Sequence, residues 1–337
     1  MFLAQGGRGA VSASRAEPTR LTAVDKRTVL FIAGWGRSGS TILGNILGQL
    51  PGFCYVGELS NIWTRGVLEN APCGCGARFR DCPMWQSIFQ RAFGGINEGH
   101  AKRMLALRKH WPNNKGLLLK GPLGRAVFRP PPESAEYADT LRILYEAIAE
   151  YADGRAIVDS SKVPSYAFTL GSLPNIDLRL VHLVRDPRAT SFSWLRNIKR
   201  QDAGRELAME RLAVWKSSAQ WTSWNATTAM VIKLLAVPAV RLSYETFVKQ
   251  PQQAVLSALD LVQDVATVEA KELPFANPHE VELRPTHSVW GNPRRWIVGR
   301  VPIVPDDEWN ARLSPLARFV VAGLTYPLAR QYGYYGK

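Results

Sequence analysis

The residues able to do chemistry gather in a few short runs. The first is GWGRSGST, residues 34–41, where Gly34, Gly36 and Gly39 set a turn ahead of Ser40 and Thr41. Measured against the phosphate-loop pattern GxxxxGK[ST], the glycine spacing and the final hydroxyl fit, but the lysine is missing. That lysine normally reaches the β- and γ-phosphates of a nucleoside triphosphate, so its absence weakens an ATPase or kinase reading. Arg37 brings a positive charge into the loop instead. Three further polar runs follow: DSSK at 159–162, RDPRATSFS at 185–193 and SYE at 243–245. The chemistry they point to is the holding of an anion by backbone N–H groups, hydroxyls and guanidinium.

These runs need elements to hold them. Thr28–Ala33 is a short β-rich apolar stretch, and from Ser40 onward Ile42, Leu43, Ile46, Leu47 and Leu50 recur at helical spacing. Strand, glycine turn and helix together aim a helix N-terminus at a phosphate. On this stretch alone, a plain connecting turn is the bland alternative. Residues 156–162, 178–184 and 237–245 read as three more strands, each ending in one of the polar runs. In open α/β sheets ligands bind outside the carboxyl ends of the strands, so four polar ends at one edge describe one site. Helices are expected over 137–151, 165–170, from Pro187, over 206–230, from near Pro251 and over 309–332, with a further strand at 117–122. The tryptophans at 215, 221 and 224 read as core. Strands alternating with helices predict an α/β fold: a three-layer sandwich with a mostly parallel central sheet, like that of P-loop NTPases. Residues 1–26 read as a disordered arm and 27–337 as one domain with an irregular inserted lobe around 60–135.

The chain has 337 residues, 46% of them apolar and 21% charged, as in an ordinary globular protein. A net charge of +14 points to a polyanionic partner. Basic residues are scattered and no nucleic-acid motif is found, so nucleic acid is not expected. No apolar run has the length of a membrane span and no export signal is seen, which favours a cytoplasmic protein. Of the four cysteines, Cys73, Cys75 and Cys82 crowd into CGCGARFRDC. A zinc reading needs a fourth ligand from Cys54 or a histidine, and C-x-C is not a usual knuckle spacing. A local disulfide or a thiol cluster is the preferred expectation.

The set of motifs resembles the sulfotransferases that use 3′-phosphoadenosine 5′-phosphosulfate (PAPS). GRSGST at 36–41 is similar to that family's loop for the 5′-phosphosulfate. Arg185 with Ser193 eight residues later is similar to its 3′-phosphate site. The resemblance extends over roughly residues 28–333 and is nearest in style to bacterial and tyrosylprotein-type members. It implies that Gly36, Arg37, Ser38, Gly39, Ser40 and Thr41 cradle the phosphosulfate, and that Arg185 and Ser193 hold the 3′-phosphate. It implies that Tyr244 lies beside the adenine, and that Asn292 and Arg295 of HSVWGNPRRW close over the nucleotide. Glu58, after Gly57, corresponds to the general base, and Lys162 to the lysine on the transferring group. Lys162 and Arg37 would stabilise the transition state, with no metal required.

The physics fits this implication. Two separated phosphates need two anion sites, in-line transfer needs charge stabilisation on the leaving phosphate, and an attacking hydroxyl needs a base. The acceptor expected is a hydroxyl, less readily an amine, on a small molecule, glycan, lipid or peptide. The rivals are a nucleotide kinase or NTPase on the same loop, and a non-catalytic nucleotide- or anion-binding protein of the same fold. Structurally, Glu58 could be only a cap or an ion-paired carboxylate, Lys162 a solvated lysine, and Arg185 a partner for Asp186 or another carboxylate.

Overall fold

The computed structural model describes residues 26–128, 131–196, 199–202, 205–208 and 210–336. Apart from Lys26, the expected N-terminal arm lies outside these residues. Strand β1 (Arg27–Ala33) leads into helix α1 (Ser40–Leu47) and β2 (Phe53–Gly57). The following lobe holds a π-helical stretch (Ile62–Leu68), α2 (Pro83–Phe93), α3 (Glu98–Arg108) and α4 (Asn114–Lys120). Next come α5 (Ala135–Tyr151), β3 (Ala156–Lys162), α6 (Pro164–Leu170), β4 (Ile176–Val184) and α7 (Pro187–Leu195). A two-stranded ribbon, β5 (Lys199–Asp202) and β6 (Arg205–Ala208), precedes α8 (Val214–Leu235). Then follow β7 (Ala239–Ser243), α9 (Tyr244–Lys249) and α10 (Pro251–Leu259). Strands β8 (Phe275–Asn277), β9 (Glu280–Leu283) and β10 (Gly299–Pro302) make a small antiparallel sheet. Helices α11 (Trp309–Arg312) and α12 (Pro315–Gln331) end the described chain.

The central sheet runs β2-β3-β1-β4-β7, with every neighbouring pair parallel. Along β1 successive side chains point to opposite faces. Val29 and Phe31 enter one core, with α5, α6, the end of α8 and the lobe. Leu30 and Ile32 enter the other, with α1, α9, α10 and the small sheet. A strand buried on both faces needs apolar residues throughout, which is why VLFIA reads as an unbroken run. The result is the expected three-layer α/β sandwich.

Several boundaries differ from expectation, for identifiable reasons. Residues 117–122 are not a strand: Asn113 caps α4, its Oδ1 accepting from the Gly116 N–H at 2.8 Å. Of its three leucines only Leu117 is buried. The long helix begins at Val214 rather than near Glu206, which lies in β6. The run 309–332 is two helices, because Ser314 and Pro315 give α12 its own start, Ser314 Oγ accepting from the Ala317 N–H at 3.3 Å. Residues 60–135 are more helical than their sequence promised. No helix among the described residues is long and apolar enough to cross a membrane.

Candidate active site

All four polar runs emerge at the carboxyl edge of the sheet. Between β1 and α1 the chain turns sharply, with Gly34 at φ +142°, Arg37 at φ +70° and Gly39 at φ +89°. A Cβ on Gly34 would stand 2.2 Å from the Leu183 carbonyl oxygen, and one on Gly39 would stand 2.8 Å from the Tyr244 ring. The loop is thus threaded between the ends of β4 and β7, and only glycine passes. Gly34→Ala is expected to cost at least about 2 kcal/mol in denaturant unfolding, through combined backbone strain and overpacking. A smaller loss would show that the loop relaxes. Helix α1 opens at Gly39 with no side chain capping it and no acidic residue in its first turn. Its N-terminal N–H groups and positive dipole end therefore face the space above the loop.

Around this loop three guanidinium groups meet. Arg185, at the end of β4, is 5% exposed and donates from Nη1 to the Arg37 carbonyl oxygen at 3.1 Å. Its Nη2 meets Asp306 Oδ2 at 3.0 Å, and its guanidinium stacks 4.3 Å from the Tyr244 ring centroid. Arg196 joins the same Asp306 carboxylate at 2.5 Å and donates to Ser193 Oγ at 3.4 Å. Burial, then the charges of Arg196 and Arg185, bring the Arg37 guanidinium down to about 10. It stays cationic at neutral pH but sits where one more negative charge is favourable. Burial works to raise the Asp306 carboxyl, but Arg185 and Arg196 hold it below its ordinary value. Of the structural alternatives, Arg185 pairs with another carboxylate, Asp306, and not with Asp186, which is taken by Arg188 at 2.6 Å. Of the residues that meet here, sequence reasoning named Arg37, Arg185, Ser193 and Tyr244 but not Arg196 or Asp306. Asp306 lies in a loop that no periodicity distinguishes.

The second cluster forms where β2 and β3 end side by side. Glu58 Oε1 accepts from Lys162 Nζ, Glu58 Oε2 accepts from Asn61 Nδ2 at 3.1 Å, and both side chains are largely buried. Lys162 is thus no solvated surface lysine. Its φ of +66° and the hydrogen bond from Trp224 Nε1 to its carbonyl oxygen, 3.0 Å, bend the strand end toward Glu58. The late loop links this pair to the first cluster. The Glu58 N–H donates to the Trp290 carbonyl at 3.2 Å, and the Asn292 N–H donates to Thr41 Oγ1 at 3.4 Å. A Cβ on Gly291 would lie 3.5 Å from Thr41 Oγ1 and 3.6 Å from Glu58 Oε1. Thr41 and Glu58 thus flank one point. Asn292 caps the short turn 293–296, its Oδ1 accepting from the Arg294 N–H at 3.0 Å. Arg295 is 2% exposed and donates to the carbonyls of Ser288, at 3.2 Å, and Pro72, at 2.5 Å. Its place is inside the base of the loop.

Behind Lys162, fully buried Asp159 accepts from Tyr145 Oη at 2.6 Å and from the Ser161 N–H at 2.7 Å. Burial pushes its carboxyl up to about 6, against the pull of these hydrogen bonds. An unfolded aspartate titrates near 3.9. The folded chain therefore holds more protons between about pH 4 and 6, and stability falls as pH rises through that window. The stability advantage of wild type over Asp159→Asn is expected to shrink by about 2–3 kcal/mol from pH 4 to pH 7 in urea unfolding. A constant difference would remove the titration from Asp159.

Of the two expected arrangements, the cysteines take the thiol cluster and not the disulfide: Cys54, Cys73, Cys75 and Cys82 are all unbridged. Cys73, Cys75 and Cys82 cluster as thiols, joined by His287, while Cys54 lies apart on β2.

The chain belongs to the sulfotransferase family, whose defining pattern matches residues 30–263, more than half of its length. Two solved structures are similar in fold. One is the sulfotransferase domain from the curacin biosynthetic pathway, 16% identical with a TM-score of 0.48, covering 93% of this chain and 100% of that one. The other is the sulfotransferase domain from the Synechococcus PCC 7002 olefin synthase, 19% identical with a TM-score of 0.47, covering 93% of this chain and 97% of that one. No curated protein matches the chain.

Proposed function

We propose that this sulfotransferase moves a sulfuryl group from PAPS to a hydroxyl, less readily an amine, of its acceptor, and releases adenosine 3′,5′-bisphosphate. The observation that carries the reading is the meeting of two clusters at one sheet edge. One is the uncapped helix start with its three guanidinium groups, and the other is the Glu58–Lys162 pair. The residues fit the donor: the glycines let the loop bend tightly against Leu183, Trp194 and Tyr244, and the arginine cluster favours added negative charge. In this reading the backbone and hydroxyls of Gly36, Ser38, Gly39, Ser40 and Thr41, with Arg37, cradle the 5′-phosphosulfate. Arg185 and Ser193 hold the 3′-phosphate, which replaces Asp306 as the partner of the guanidinium groups. Tyr244 lies beside the adenine. Asn292 and Arg295 shape the loop over the nucleotide, with Arg295 acting through the carbonyls it holds.

PAPS supplies an activated sulfuryl group with a phosphate as its leaving group. Glu58 takes the acceptor proton as the acceptor oxygen forms its bond to sulfur and the bond from sulfur to the phosphate oxygen breaks. Lys162 and Arg37 neutralise the charge that collects on that phosphate, which needs no metal in the transfer itself. Four unbridged cysteines fit the reducing conditions of a cytoplasmic protein. Incubation with PAPS labelled in its sulfur and a panel of phenols, glycans, lipids and peptides tests the reading. Label transferred to a hydroxyl-bearing class supports it. Mg²⁺-dependent turnover of ATP, or nucleotide binding with transfer to no acceptor, would replace it with one of the rivals.

A further inference from the structure

The cysteine cluster of the inserted lobe has a geometry that the transfer reaction does not use. Cys73 and Cys75 stand on a tight turn closed by the Pro72–Arg78 bridge, the Cys73 N–H donating to Ala77 O at 2.8 Å and the Gly76 N–H to Cys73 O at 2.9 Å. Cys82 stands at the N-cap of α2, and His287 arrives from the far end of the chain. The four ligand atoms lie within 4.8 Å of one another, with Cys73 and Cys82 buried and the other two half-buried. Cys75 Sγ is 3.8 Å from Cys82 Sγ, and His287 Nδ1 is 3.2 Å from Cys82 Sγ. A disulfide holds its sulfurs about 2.0 Å apart. Zinc–sulfur bonds of about 2.3 Å at tetrahedral angles set sulfurs about 3.8 Å apart, the spacing of Cys75 and Cys82 here.

We propose that Cys73, Cys75, Cys82 and His287 bind one structural zinc ion. Three soft thiolates and an imidazole select zinc over magnesium or calcium, and four protein ligands leave no open position for catalysis. The backbone around the ligands is held from outside, as metal sites require. Trp296 Nε1 donates to Cys73 O at 3.0 Å, Trp85 Nε1 donates to His287 O at 3.0 Å, and the Gly74 N–H donates to Ser288 O at 2.9 Å. Gly74 has no room for a side chain, since a Cβ there would stand 2.4 Å from Ser288 Oγ. The ion ties the lobe to the loop that begins at His287. That loop is the one whose Val289 N–H bonds Val56 O at 2.9 Å and whose Trp290 carbonyl holds the Glu58 N–H. The zinc therefore positions the wall beside Glu58 without touching the reaction.

The test uses the full chain, purified without a histidine tag in metal-free buffer. Elemental analysis is expected to find about one zinc per chain, released when the thiols are modified. Replacement by Co²⁺ should give thiolate charge-transfer and tetrahedral d–d bands. Stripping with a strong chelator should lower Tm by about 5 °C or more, restored by zinc alone. Cys75→Ser, at the half-buried corner, should fold with zinc below a tenth of an equivalent. If that variant does not fold, the wild-type zinc content and Co²⁺ spectrum decide. A native chain without zinc, with chelator-insensitive Tm and all thiols reacting freely, overturns the site. So does a mass two units low for an internal disulfide, or the absorbance of an iron–sulfur cluster. None of these readouts depends on PAPS or on transfer activity.

Discussion

Glu58→Gln is expected to lower sulfuryl transfer about 10²–10⁴-fold while changing nucleotide affinity less than about threefold. The substitution keeps the volume of the side chain and leaves an oxygen for Lys162, but an amide cannot take the acceptor proton. The second carboxylate oxygen, which accepts from Asn61 at 3.1 Å, becomes a donor facing a donor. A stability loss near 1 kcal/mol should accompany the change. Single-turnover transfer and calorimetric titration of adenosine 3′,5′-bisphosphate separate the two effects. A Gln variant with near-normal turnover would put the base elsewhere. His287 is a poor substitute, because its Nδ1 faces the thiol of Cys82.

The second large effect concerns Arg185. Its removal should weaken adenosine 3′,5′-bisphosphate about 10–100-fold, the worth of a charge-assisted contact to phosphate. The nucleotide lacking the 3′-phosphate should lose less than about threefold. The comparison between the two ligands matters because Arg185 also braces the loop through the Arg37 carbonyl. General loosening of the loop would weaken both ligands alike. Equal losses by calorimetry would therefore end the assignment of Arg185 to the 3′-phosphate.

What the sequence disclosed was local. A parallel strand buried on both faces must be apolar throughout, so β1 and β4 stood out, and their glycine and arginine ends marked the site. Ser314 and Pro315 announced a helix start inside the run 309–332, a signal that the apolar spacing concealed. Asn113 likewise marked α4 as a helix, where three leucines alone suggested a strand. Glu58 and Lys162 were legible one at a time, but their contact spans 104 positions and depends on β2 lying beside β3. His287 completing the cysteine cluster, and Asp306 between two arginines, are pairings of the same kind. No periodicity or short motif encodes them, because the partner arrives from another part of the chain.

The contact of Thr41 with Asn292 joins positions 251 apart, and that of Arg185 with Arg37 joins positions 148 apart. Loops of that length close late, because chain entropy is lost before the contact repays it. During refolding, helical signal should therefore recover before the pocket exists. Regained activity then serves as a clock for the completed chain topology, and any cut that frees the last fifty or so residues should silence the enzyme while leaving most of its sheet intact.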